Sequence, residues 1–232
     1  MPLPKPKFCW QTVGMSLEVE TRDCGSLTDA ELDELAAMGG AFGIGPVSKA
    51  KDEWVLFTSA RIDGKIHGFT FSTLERIGGT PCVLLGMMSI KKTSKRDMIL
   101  KGLMGEAYHR ALMAFPDEDV VVGSRFASAA GLEAFKSLTE LIPRPSHRAV
   151  GEERAWGKRL ARRFGVESSY DDQSFTVKVN AQSGFLDHET LKPEKIDADV
   201  AAQFATAKKA KSGVVIVHGW TMAESLAKLG KH

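Results

Sequence analysis

Three strand-like runs crowded into residues 54–90, set apart by two glycine turns, constrain this chain more than any other feature. Residues 54–62 end at Asp63-Gly64, a dipeptide that takes up positive φ readily and so marks a two-residue hairpin before residues 65–74. Ile77-Gly78-Gly79-Thr80-Pro81 makes a second turn, and residues 82–90 (CVLLGMMSI) form the third run. The three make an antiparallel meander. Its last strand is almost wholly apolar and therefore belongs in the middle of a sheet, with both faces covered. Covering both faces takes helices, and the flanking sequence supplies them.

Upstream, residues 16–21 (SLEVET) alternate apolar and polar as a half-buried strand does. Thr28 with Glu31 three residues on is a capping-box signature, and Leu32, Leu35 and Ala36 continue it as a helix to about Met38. Gly39, Gly40, Gly43, Gly45 and Pro46 read as the loop that ends it. Downstream, Ile99, Leu100, Leu103, Met104, Ala107, Tyr108, Ala111 and Leu112 keep helical spacing over residues 97–115, closed by Pro116. Residues 119–124 (DVVVGS) are then a buried strand. Two apolar strands joined by a helix predict a parallel pair with a crossover, opening apart at its carboxyl ends. A short helix over 128–138 follows.

Beyond residue 138 the pattern predicts an extended Ile142-Pro143-Arg144-Pro145 and a basic helix over 152–164. It also predicts a strand over 175–179, a helix carrying Val200, Ala201, Phe204 and Ala207, a buried strand over 214–217 and a helix over 222–229. Residues 1–15 read as an extended arm, since Pro2, Pro4 and Pro6 forbid helix. Residues 16–232 then form one α/β (α+β) domain. Residues 16–138 are its core, and residues 139–232 are a divergent, loosely attached helical and strand extension that completes a mixed, mostly antiparallel sheet flanked by helices.

A chain of 232 residues buries roughly 70–75% of its unfolded surface, enough for a full core without disulfides or metal. The 31 Lys+Arg and 29 Asp+Glu leave a formal charge of +2, which with 43% apolar residues excludes global disorder. No apolar run approaches the ~20 residues of a membrane span. The opening MPLPKPKFCW has no signal-peptide stretch, so the expected compartment is the cytoplasm. Cys9, Cys24 and Cys82, odd in number and far apart, are expected to be free thiols, and no metal site is expected. No GxSxG, HExxH, phosphate-loop or GxGxxG motif occurs. Arg154, Lys158, Arg159, Arg162 and Arg163 put five cations on one helix, joined by Lys208, Lys209 and Lys211. With a balance of only +2 and no interleaved stacking aromatics, this reads as a solvated face packing through Trp156, Leu160 and Phe164, and nucleic acid is not an expected partner. His218, in VVIVHGW, is a lone histidine at a strand end.

The order strand, helix, three strands, helix, strand, helix over residues 16–138 resembles the layout of the GNAT acetyltransferase superfamily. The resemblance implies transfer of an acetyl or other acyl group from acyl-coenzyme A to the amine of a small molecule or protein. It also implies a pantetheine arm bonded to the strand of residues 82–90 and a pyrophosphate at the start of the following helix, where unpaired N–H groups and the dipole favour anions. Carried onto this sequence, the coenzyme contacts are Met88, Ile90, Lys95, Arg96, Met98 and Ile99. The family's phosphate loop carries two glycines. Here the same stretch is Lys95-Arg96-Asp97-Met98-Ile99-Leu100, so the cations Lys91, Lys92, Lys95 and Arg96 are expected to replace backbone contacts with side-chain ones. The family's usual proton-donating tyrosine falls on Phe135, which has no hydroxyl. Tyr108 reads as core and Tyr170 as a loop residue. His67 and Glu75 are candidates for a general base, and the catalytic residues are otherwise unassigned. The alternative to an acyltransferase is the same scaffold serving as a binding module without catalysis.

Overall fold

The computed structural model describes residues 8–12, 15–38, 42–127, 129–178, 196–209 and 214–230. The meander forms as its turns dictate: β3 (Leu56–Ile62), β4 (Lys65–Ile77) and β5 (Thr80–Ile90) pair antiparallel in sequence. Asp63 (φ 50) and Gly64 (φ 75) at the first turn, and Gly78 (φ 59) and Gly79 (φ 90) at the second, hold the left-handed conformation that hairpins of matching twist require. β2 (Met15–Asp23) pairs with β3, and β1 (Phe8–Thr12) folds back on β2 as an edge strand within the segment read as an arm.

α1 (Asp29–Ala36) starts at the capping box: the Glu31 N–H donates to Thr28 Oγ1 at 3.4 Å, and the Thr28 N–H donates to Glu31 Oε2 at 2.9 Å. The loop expected after it is instead partly helical. α2 (Ile44–Glu53) begins at Gly43, with Pro46 in its first turn, where a missing N–H costs nothing, and Val47 and Ala50 buried. Reading Gly45 and Pro46 as helix breakers missed that a helix tolerates both at its start.

α3 (Arg96–Ala114) is the crossover to β6 (Val120–Phe126), which lies parallel to β5 as expected. The short helix predicted over 128–138 is a 3-10 helix (Ala129–Phe135), and β7 (Thr139–Ile142) follows. Then come α4 (Gly151–Arg163), the two-residue strands β8 (Tyr170–Asp171) and β9 (Thr176–Val177), α5 (Ala198–Lys209), β10 (Val214–Thr221) and α6 (Ala223–Leu229). β9 forms within the strand predicted over 175–179, Phe175 (φ 58) turns just before it, and Val179 lies outside the described residues.

The strand order is β1-β2-β3-β4-β5-β6-β10-β9-β8, with β7 also on β10. The result is a mixed, mostly antiparallel open sheet, flanked by helices, with one parallel pair at its middle. β10 pairs with β6 from Thr221–Val120 to Val215–Phe126, and its first six residues are buried. Two apolar clusters cover the sheet. α3, Phe126, Phe135, Val215 and Val217 lie on one face; α1, α2, Trp54, Trp156, Leu160 and Ile216 lie on the other. Among the described residues no helix is long and apolar enough to cross a membrane. The Cys24 and Cys82 thiols are buried and free, and burial pushes both up to about 12.

Candidate functional site at the carboxyl end of β6

The parallel pairing of β5 and β6 runs only from Cys82–Val121 to Leu84–Gly123, although both strands continue beyond it. The divergence coincides with a bulge in β5. Thr70 faces Met88 and Ser72 faces Leu85, so Gly86 and Met87 together oppose Phe71. Bulges re-aim a strand and gather beside functional sites. Gly86 is required here, because a Cβ on it would lie 2.2 Å from Cε2 of Trp54. A second bulge inserts His67 between the pairs Ala60–Gly68 and Arg61–Ile66.

Side chains close the divergence from both faces. Ser124 Oγ donates to the Leu85 carbonyl at 2.8 Å across it. On the α3 face, Phe126 and Phe135 meet edge to face at 5.0 Å. On the other, Trp54 meets Phe164 at 6.5 Å, and the Arg125 guanidinium lies 4.9 Å over Phe164. Burial lowers Arg125 from the usual guanidinium range, and this cation had no signal in the sequence. Met88, Ile90 and Ile99 are fully buried in the α3-side core.

Outside this plug, the start of α3 is cationic. Lys91 and Lys92 are exposed, Lys95 and Arg96 partly so, and Met98 is half-buried. Lys95 is the N-cap residue but makes no side-chain cap, so no side-chain cap competes for the first-turn N–H groups. Arg96 Nε lies 3.4 Å from Asp97 Oδ1. The Lys91 N–H donates to the His67 carbonyl at 2.8 Å, which ties the bulged histidine to the same corner. Burial, then Lys91 and Lys95, lower His67, and among the described residues its buried Nδ1 has no partner. The structure thus brings Lys95, Arg96, Met98 and His67 to one surface corner and places Met88, Ile90 and Ile99 beneath it.

The other candidates go elsewhere. Glu75 is ion-paired with Arg163. Tyr108 bonds Ser137 Oγ at 3.2 Å, and burial pushes its hydroxyl up to about 12. Phe135 is core. The Tyr170 ring packs on Phe175 at 6.3 Å, and burial raises its hydroxyl. The basic stripe on α4 is engaged internally. Arg154 and Lys158 each reach Asp172 at 2.8 Å, Arg162 reaches Glu167 at 2.9 Å, and Arg159 lies 4.9 Å over Trp156. Lys208 and Lys209 end α5, and Lys211 lies outside the described residues.

No protein-family model matches the sequence, and no curated protein does. Among solved structures the chain is similar to a GCN5-related N-acetyltransferase from Kribbella flavida, at 13% identity over 93% of this chain and 67% of that one, with a TM-score of 0.31. So loose a likeness leaves the fold to be argued from strand order alone.

Proposed function

We propose that the protein is an acyl-coenzyme A-dependent N-acyltransferase acting on a small-molecule or protein amine. The observation that carries this reading is the parallel β5–β6 pair, which diverges at a bulge just before a helix whose start is cationic. Such a gap at the carboxyl ends of parallel strands is where open α/β sheets take ligands. The residues fit the coenzyme unevenly. Lys95 and Arg96, with Lys91 and Lys92, suit a pyrophosphate at the helix start. Met88, Ile90 and Ile99, fully buried, do not receive an acyl arm while Phe126 and Phe135 stay packed. The reaction would break the thioester C–S bond, form an amide C–N bond and pass one proton from amine to thiol. Of the groups considered for proton transfer, His67 is lowered and, among the described residues, has an unpartnered ring nitrogen, whereas Phe135 carries no proton and Tyr108 holds its own tightly.

A second reading, a binding module on the same scaffold, is favoured by the closed plug around Phe135. Calorimetry with acetyl-CoA at low salt, paired with a thiol-release assay, separates the two. The transferase reading expects binding that the double variant Lys95→Ala/Arg96→Ala weakens by about 2–4 kcal/mol, two charge-assisted bonds being lost. It also expects that added salt weakens binding and that an amine drives slow thiol release. Binding without release supports the module; no binding at low salt overturns the coenzyme assignment.

A further inference from the structure

A second cleft, of about 390 Å³, opens at the amino end of β6. Asp119 just precedes β6, and Trp220 and Thr221 on β10 pair with Val121 and Val120 there. Asp119, Trp220 and Thr221 mark the amino end of β6, whereas His218 lies opposite Gly123, the last β6 residue paired with β5. Among the described residues no Lys or Arg lines the cleft, whereas Asp119, Glu140, Glu152 and Glu153 all do.

Two of the four carboxylates are engaged. Asp119 Oδ1 accepts the Ala223 N–H at 2.9 Å. Glu153 accepts the Val150 N–H at 2.6 Å and faces His147 Nε2 at 2.9 Å. Although burial opposes it, these partners and Arg144 hold Glu153 below the usual carboxylate range. Glu140 and Glu152, both exposed, have no hydrogen bond or ion pair among the described residues. Trp220 is half-buried and meets Trp156 edge to face at 5.8 Å.

His218, only 1% exposed, lines the same cleft. Its Nε2 lies 3.3 Å from the Glu153 carbonyl oxygen, an acceptor, so Nε2 carries the ring proton. Its Nδ1 is then a buried acceptor, and among the described residues no donor meets it. Burial lowers His218 to about 4, so the ring adds no positive charge at neutral pH. Four carboxylates, an aromatic wall and an unmet acceptor are what a cation bearing N–H donors fits. Among the described residues no group of three or more His, Cys, Asp or Glu could hold a metal ion.

We propose that this cleft binds a small organic molecule carrying a primary ammonium group, its charge met by Glu140 and Glu152, its stem against Trp220 and one N–H donated to His218 Nδ1. This ammonium site does not rest on the acyl-transfer assignment.

The probe is 1,4-diaminobutane, titrated at low ionic strength by calorimetry and tryptophan fluorescence, with tetramethylammonium and Mg²⁺ in parallel. The diamine is expected to bind saturably and more tightly than tetramethylammonium, which has the charge but no N–H. Glu140→Gln/Glu152→Gln removes two exposed charges from the surface and should weaken binding roughly three- to tenfold, with the melting temperature and any acetyl-CoA binding unchanged. Trp220→Leu should weaken it by a similar factor. Absence of saturable binding overturns the proposal. So does an unchanged affinity in the folded double-Gln variant, which puts the amine elsewhere, or binding of Mg²⁺ but not the diamine.

Discussion

The two ends of β6 are built by opposite means. At the carboxyl end the backbone makes a gap, through a bulge and diverging strands, and the side chains of Trp54, Phe164, Phe126 and Phe135 close it, leaving cations outside. At the amino end the strands stay paired, and side chains from β7, α4 and β10 enclose an acidic cleft. Topology alone therefore does not say which end can receive a ligand. Side-chain volume decides whether a backbone gap is usable, and side-chain charge decides for what.

If the carboxyl end is truly closed, Phe135 is structural. Phe135→Ala should cost about 3–5 kcal/mol in chemical denaturation, the range for a large aromatic removed from a core. Phe135→Tyr should cost about 1–3 kcal/mol, since its hydroxyl enters an apolar site, and should not raise thiol release. A tyrosine variant of undiminished stability that releases thiol faster would show an open gap and break the contrast.

The amino end has its own signature in pH. His218 is depressed to about 4 against an unfolded value near 6.5, so between those values the unfolded chain holds more protons than the native one. Its contribution is complete above about pH 6.5 and is lost as pH falls towards 4, for a total of roughly 3–4 kcal/mol. Urea midpoints compared at pH 7 and pH 4.5 should fall more for the intact protein than for His218→Gln. Equal falls would mean that the imidazole is already solvated in the cleft.

A change remote from both ends gives the baseline. Thr28→Ala removes the α1 cap and should cost about 1 kcal/mol, with no effect on the binding of acetyl-CoA or diamine. An effect on either ligand would mean that the two ends are not insulated from the rest of the sheet.

What the sequence disclosed follows from how local each cause is. The β3–β5 meander, the α1 cap and the parallel β5–β6 pair were legible because period-2 patterning, turn dipeptides and the capping box act within a few residues. α2 was hidden by Gly45 and Pro46, whose meaning depends on whether they begin or interrupt a helix. The central place of β10 was not readable, since pairing between residues about a hundred apart leaves no local trace. Lys95 and Arg96 were visible as charge, but the burial of Met88, Ile90 and Ile99 was not. The acidic cleft was invisible for the same reason: Asp119, Glu140, Glu152 and Trp220 come from four separate segments.

One measurement addresses both ends together: amide chemical-shift mapping of the intact chain, titrated first with acetyl-CoA and then with 1,4-diaminobutane. The predicted result is two disjoint sets. Acetyl-CoA should move residues 91–99 and His67, and the diamine should move Glu140, residues 150–153 and residues 218–222. Both ligands moving one shared set, or the diamine leaving the second set still, would contradict the division of β6 into an anion-facing end and a cation-facing one.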